Sequence, residues 1–498
     1  MSEKLTELPE GWCYILLKDL GELKRGKSKH RPRNDPKLYG DFVPFIQTGE
    51  VARSGGRISN FSKMYSELGV QQSRIFPKGT ICITIAANIA DTGILGFDAC
   101  FPDSIVGLIT DDRLADSYFI EYFLRTIRED LAQFAPATAQ ANINIEILNK
   151  VFVPLPPLNE QKRIVAKIEE LNDRTQKAKK ALDSIPLLCD RFRQSVLAAA
   201  FRGDLTADWR ELNPDVEPAS VLLEKIKKEN SDKKRKQVEK HIETLYVLPS
   251  NWAWTKLIDV CLSISDGDHQ APPQVDKGIP FLVISNIRNG KLDFSETRYV
   301  PQEYYQFIPT VRKPARGDIL YSVVGSYGIP VLIDTEEQFC FQRHIALFKP
   351  SSLINHKYLL YLLKSNLVFQ QATEVATGTA QLTVPLSGLR QIKITIPPLL
   401  EQHEIVHRIE AFLRVIDQIE TNHLYVEFQL KKLNQSILAK AFRGELVPQD
   451  PDDEPASVLL GRIRAEREKL NNSKPKSDRT SKRKSKTVEG QGFIPGLE

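Results

Sequence analysis

The chain has 498 residues, 41% hydrophobic and 26% charged, and its 68 Lys+Arg against 63 Asp+Glu leave a formal net charge of +5 at pH 7. That length predicts two to four folded units, each large enough for its own core, with the composition of an ordinary soluble globular protein. The basic excess is slight, so any polyanion-binding surface has to come from local clustering of Lys and Arg.

The amino-terminal MSEKLTELPEGW lacks the apolar segment of a secretory signal, and the greasiest stretch, Ile81 to Phe97, is interrupted by Asn88, Asp91 and Gly93. Cys13, Cys82, Cys100, Cys189, Cys261 and Cys340 stand singly with no CxxC pair, which argues against a zinc ribbon or a disulfide scaffold. Buried thiols in a soluble, cytoplasmic protein are expected.

In chain order, residues 1–157 carry short β-branched runs such as Ile81 to Ile85 and a short apolar helix, Ser117 to Ile127, punctuated by Gly and Pro. They predict a mixed α/β domain. Residues 158–243 follow a Pro-Pro pair as a helical spacer with a basic linker. Stepping by four and three from Ile164 gives Ile168, Leu171, Thr175, Ala178, Leu182, Ile185, Cys189, Phe192, Val196 and Ala199, a heptad seam that Pro186 should kink or break. Arg202-Gly203 ends it, with the glycine suited to a C-cap. Lys225 to Lys240 reads as solvated linker.

Residues 244–398 form a second mixed α/β domain, with a strand at Ile319 to Val324 and a helix at Lys357 to Leu367. A second helical spacer, 399–470, repeats the seam from Ile405 through Ile409, Phe412, Ile416, Ile419, His423, Val426, Leu430, Leu433, Ile437 and Lys440, ending at Arg443-Gly444. Residues 471–498 are a basic tail expected to be disordered. A 45-residue helix would run on the order of 65 Å at roughly 1.5 Å per residue. Each seam needs a partner and the chain holds two, so antiparallel pairing is expected, with the globular domains at opposite ends of a rod.

The chain is one unit written twice. Leu8 to Leu20 reappears at Leu248 to Val260, a shift of 240, and PPLNEQ at Pro156 to Gln161 returns as PPLLEQ at Pro397 to Gln402, a shift of 241. QSVLAAAFRGDL at Gln194 returns as QSILAKAFRGEL at Gln435, and EPASVLL occurs verbatim at Glu217 and Glu454. Similarity is strong from the PPL.EQ segment onward and thin before it, which implies shared scaffolding with different specificities.

Two enzyme signatures fail on context. Gly21 to Ser28 fits the P-loop pattern GxxxxGK[ST], but Pro32 and Pro36 deny it the helix whose N-terminus would hold phosphate. His403 to His407 fits HExxH, yet Ile405 lies on the seam, so both histidines face outward, and the other copy has Lys162 and Ala166 there. No nucleophile elbow, dinucleotide fingerprint or Asn-Pro-Pro-Tyr is found. A P-loop ATPase or zincin is therefore a minor alternative, and a coiled-coil protein adaptor that never touches DNA is the other.

Taken together, the duplicated PPL.EQ..I helix starts, the Q..L..AF.G ends and the variable domain before each resemble the specificity subunits of type I restriction-modification enzymes. The resemblance also covers Gly26-Lys27-Ser28, Asp266-Gly267-Asp268-His269, and the TAQ segments ending at Gln140 and Gln381. It implies an α+β fold: two mixed α/β target-recognition domains separated by two long antiparallel coiled-coil helices, a tandem duplication with a pseudo-twofold arrangement. It implies a non-catalytic subunit whose domains each read one half of a bipartite double-stranded DNA site. The implied partners are two modification subunits that methylate adenine with S-adenosylmethionine and two restriction subunits that use ATP and Mg2+. This chain would bind no cofactor itself.

Reading DNA needs cations for phosphates and Arg, Asn or Gln for base edges. In the first domain Lys24, Arg25, Lys27, Lys29, His30, Arg31 and Arg33 form a basic loop, with Arg53, Arg57, Arg74 and Gln140 as further candidates. In the second they are His269, Gln270, Arg288, Arg312, Arg316, Arg343 and Gln381.

Overall fold

A proline pair cannot lie inside a helix, and each long helix starts directly after one. A computed structural model describes residues 7–30, 32–133, 143–230, 244–288 and 290–472. In it Leu158–Leu182 follows Pro156 and Pro157, and Leu399–Phe442 follows Pro397 and Pro398. The second helix is unbroken over 44 residues. The first stops at Leu182 and a new helix, Ile185–Arg202, starts with Pro186 in its first turn, where the missing N–H leaves no bond unmade.

Both helical regions end on a left-handed glycine, Gly203 at φ +89 and Gly444 at φ +74. A Cβ on Gly203 would lie 2.6 Å from Pro249 Cγ, and one on Gly444 2.5 Å from Pro9 Cγ. The repeated Phe-Arg-Gly and Leu-Pro-x-x-Trp strings are therefore two sides of one contact, made in each copy between the end of one helix and the start of one globular domain.

The chain packs as two compact units, Met1–Lys179 with Phe428–Glu498, and Lys180–Glu427. In the first, a sheet runs in the order Gly21–Arg25, Ile105–Thr110, Ile81–Thr84, Thr92–Leu95, Arg57–Ile58, antiparallel except for the last pair. Cys13–Leu16 pairs antiparallel with Phe152–Leu155 beside it. Its core joins Ile81, Ile83 and Leu108 of the sheet to Phe119 and Ile120 of the helix Ser117–Thr126. Ile164 and Ile168, Ile437 and Ala441, and Leu459, Leu460 and Ile463 of the helix Ala456–Asn472 complete it.

The second unit repeats the plan. Cys261–Asp266, Ile345–Pro350, Ile319–Ser322 and Pro330–Leu332 form its antiparallel sheet, and Ala253–Lys256 pairs with Lys393–Ile396. A smaller sheet sets Ile279–Leu282 between Arg298–Val300 and, in parallel, Cys340–Phe341. Ala219 and Ile226 of the helix Ala219–Asn230 occupy the core here as the C-terminal helix does in the first unit. The helix Ile185–Arg202 and residues 399–427 of the long helix run antiparallel within this unit. Arg193 Nη2 meets Glu420 Oε1 at 3.2 Å, while further along Arg408 Nη1 donates to Leu205 O at 2.9 Å.

The seam is not buried along its whole length. Ile164, Ile168, Cys189, Val196, Ile405, Ile409, Ile416 and Ile437 are buried, whereas Ala178, Ile419, Val426 and Leu433 are exposed. Heptad spacing marks the face of a helix, but a neighbour must be present to cover it. All six cysteines are free, and all but half-buried Cys13 are buried. Among the described residues no helix is long and apolar enough to cross a membrane.

Candidate nucleic-acid interface

The repeated Glu-Gln pair at each helix start is a clamp. Glu160 and Gln161 are buried, as are Glu401 and Gln402. Trp12 Nε1 donates to Glu160 Oε2 at 3.1 Å and Trp252 Nε1 to Glu401 Oε2 at 2.9 Å. Gln161 donates to Pro156 O and accepts from Asp116 N–H, and Gln402 donates to Pro397 O and accepts from Asn355 N–H. Asp116 and Asn355 are the N-caps of the helices Ser117–Thr126 and His356–Leu363. Each long helix is thereby locked to the globular domain before it, which can present its loops from a fixed base.

Those loops grow from equivalent places. Gly26 follows the strand Gly21–Arg25 and Gly267 follows Ser265 and Asp266 of Cys261–Asp266. Lys27 N–H bonds to Phe101 O and Asp268 N–H to Phe341 O. A Cβ on Gly26 would stand 2.2 Å from Pro102 O and one on Gly267 2.1 Å from Phe341 O, so both positions need glycine for closeness of approach. The P-loop reading of Gly21 to Ser28 meets a strand followed by an extended loop; the next helical turn is the short Pro36–Leu38. In the HExxH string, exposed His403 bonds Asn355 Nδ2 at 2.9 Å, His407 is exposed, and Glu404 pairs with Arg408 at 2.6 Å.

In the first unit the structure brings Lys24, Arg25, Lys27, Lys29, His30, Arg33 and Arg74 together. Gln72 Oε1 accepts from the N–H groups of Lys29 and His30, Ser73 Oγ donates to Lys27 O, and Arg74 Nη1 reaches Arg25 O at 3.5 Å. Several of these side chains have acidic neighbours: Lys24 pairs with Glu22, His30 Nε2 with Asp35 at 2.8 Å, and Arg33 Nη2 with Asp103 Oδ1 at 2.7 Å. The Asp35 carboxyl is held below its usual range by the Lys37 N–H and then by His30. Arg53 is exposed on the helix Thr48–Arg53, in a cleft it shares with Arg57 and Phe61. Arg31 and Gln140 lie outside the described residues, as do most of the linker from Lys225 to Lys240 and the tail from Lys474 to Lys486.

Arg57 departs from the expectation. Its guanidinium lies 4.1 Å over the Tyr118 ring, 3.4 Å from Glu121 Oε2 and 3.3 Å from Glu169 Oε1. Glu121 is wholly buried, and burial pushes its carboxyl up while Arg125 and Arg57 oppose the rise. Arg57 ties its strand to the helix Ser117–Thr126 and to the long helix, because an uncompensated buried carboxylate is costlier than an ordered arginine.

In the second unit His269, Gln270 and Arg343 share one cavity of about 280 Å3 with Gln274, Arg298, Gln342 and His344. Asp266 accepts from His269 Nε2 at 2.8 Å and Arg312 Nη2 at 3.4 Å, and Tyr304 OH donates to Asp268. Burial and the Arg343 charge lower the His344 pKa, which favours a neutral imidazole. Arg316 is elsewhere, in an exposed pair with Glu336 at 3.4 Å, and Gln381 lies against Gly325. Arg288 stands on the short strand Ile287–Arg288.

Sequence reasoning missed Asp103, Gln72, Gln274, Arg298, Gln342 and His344. A signal existed for some of them: Cys100-Phe101 with Ile105 recurs as Cys340-Phe341 with Ile345, a further repeat at a shift of 240.

The comparisons with known proteins agree with this arrangement. The family model described as type I restriction modification DNA specificity domain matches residues 9–186 and 249–427. The chain is 25% identical over 494 residues to the type I restriction enzyme EcoKI specificity subunit of Escherichia coli K12, covering 93% of this chain and 96% of that one. It is 29% identical over 480 residues to the EcoBI specificity subunit of Escherichia coli, covering 93% and 94%. In fold it is similar to a chain solved in work on complex assembly and conformational transition of the type I R-M system, with TM-score 0.65 at 19% identity and coverage of 89% and 100%. It is also similar in fold to the HsdS subunit from Thermoanaerobacter tengcongensis, with TM-score 0.58 at 20% identity and the same coverage. Two family matches in register with two units of one plan make this chain a member of the type I restriction modification DNA specificity domain family.

Proposed function

We propose that the chain is the DNA sequence-specificity subunit of a type I restriction-modification complex. Each globular domain reads one half of a bipartite site, and the helices set the unread spacing between the halves. The observation that carries this reading is the pair of equivalent turns at Gly26 and Gly267, which share backbone geometry but present different chemistry. One is a run of Lys and Arg, the other a ring of His, Gln and Arg, as two different half-sites require. Catalysis belongs to partner subunits: two that methylate adenine with S-adenosylmethionine, and two that translocate and cleave DNA with ATP and Mg2+. The Glu-Gln pairs and the Ala and Leu side chains of EPASVLL are turned inward, which leaves the outward faces of the long helices, such as Val415, Leu424 and Tyr425, as the surfaces for those partners.

The test is to reconstitute the complex and map methylated adenines in the DNA that it modifies. A two-part motif with a gap of constant length is expected. Equal binding of random and selected duplexes by the complex would leave the adaptor reading instead, and salt dependence would tell phosphate contact from none.

A further inference from the structure

The turn that packs on each glycine carries opposite charge in the two units, a contrast that bears on specificity if both domains read DNA as proposed. Gly26 N–H bonds to Ile105 O, and Ile105 N–H and Ile345 N–H close the same kind of turn, onto Pro102 O and Gln342 O, both at 3.1 Å. The sheet register pairs Arg25 with Val106 and Asp266 with Ala346, so Arg343 occupies the place of Asp103. In the first unit Asp103 takes Arg33 Nη2 on its carboxylate and Arg25 Nε on its carbonyl, so an acid orders a basic loop.

In the second unit the acids, Asp266 and Asp268, flank the glycine itself, and the turn that packs on it carries the arginine. Those acids are already engaged, Asp266 by His269 and Arg312 and Asp268 by Tyr304. Among the described residues the exposed Arg343 guanidinium has no hydrogen bond or ion pair, although its own N–H is held by Asp268 O at 3.1 Å. The backbone there is already fixed, so binding has only the side chain to order, and its planar fork is left with all its donors. Gln270, Gln274 and Gln342 beside it carry amides, each a donor and an acceptor at once, which suit base edges better than phosphates.

We propose that Arg343 is a specificity-determining residue, making a bidentate contact to a guanine edge in the half-site read by the second domain, and that Asp103 is its counterpart as a positioning residue for Arg33 in the first. The test uses the full reconstituted complex on a library of randomised duplexes, with methylated sites sequenced. Arg343→Ala relaxes one position of one half-site by about 10- to 100-fold and leaves the other half-site and the thermal midpoint unchanged. Arg343→Lys keeps the charge and stem but lacks the fork, so it relaxes the same position. Asp103→Asn alters preference only in the other half-site, and adding it to Arg33→Lys produces no change beyond that of Arg33→Lys alone.

Uniformly weaker modification with an unchanged motif, rescued by Arg343→Lys, would mean a phosphate contact and overturn the assignment, as would a motif unchanged in both Arg343 variants. An unmutated complex that modifies the library without preference would overturn the specificity reading itself, which separates the two failures.

Discussion

Glu160 and Glu401 hold the same place in the two copies but differ in what surrounds them. Glu401 Oε1 accepts from Thr206 Oγ1 at 2.8 Å and from Arg210 Nη2 at 2.9 Å, whereas Glu160 Oε1 has no hydrogen-bond partner among the described residues. Burial pushes the Glu160 carboxyl up, more than Trp12 and Arg163 bring it down. A carboxyl whose pKa is raised on folding contributes stability that is fully present below its unfolded value, roughly 4.3, and lost as pH rises through the folded value. Glu160→Gln removes that loss, so the stability of the unmutated chain relative to this variant should fall as pH rises above about 4.3, read as thermal midpoints. Glu401→Gln strands Arg210 and should cost about 1–3 kcal/mol at neutral pH. The tryptophan-led repeat and the Glu-Gln pairs were visible as strings. That they bond to each other was not, since the residues lie 148 and 149 positions apart.

At the scale of elements, the verbatim EPASVLL repeat becomes two helices with one task. Ile226 of Ala219–Asn230 and Ile463 of Ala456–Asn472 are buried in the cores of the second and first units respectively. Truncating either leaves a cavity, so Ile226→Ala and Ile463→Ala should each cost about 2–5 kcal/mol. Denaturant unfolding followed by hydrogen exchange should place the loss in the second unit for Ile226→Ala and in the first for Ile463→Ala; a loss in the same unit for both would contradict the packing. The seam was legible from its four-three spacing, as was an interruption at Pro186, which the structure makes a break rather than a kink. Which seam positions are covered was not, because Ile419 and Leu433 have the same apolar character and spacing as buried Ile416 and Ile437.

For the whole molecule, the reading that helices set the unread spacer predicts a specific insertion result. Adding one heptad to Leu399–Phe442 preserves the face of every seam residue, so the methylated motif should keep both half-sites and gain a longer gap. A changed half-site would contradict it. The sequence alone determined the duplication, the long helices with their proline starts and glycine ends, and the positions of the basic and Asp-Gly-Asp-His turns, because these are local or repeated patterns. Only the tertiary structure decided that Arg57 tethers a buried glutamate, that Asp103 orders the basic loop, and that no side chain among the described residues takes up the Arg343 donors. Those outcomes depend on which distant side chains meet, and neither charge nor spacing along a chain records which neighbour folding will bring.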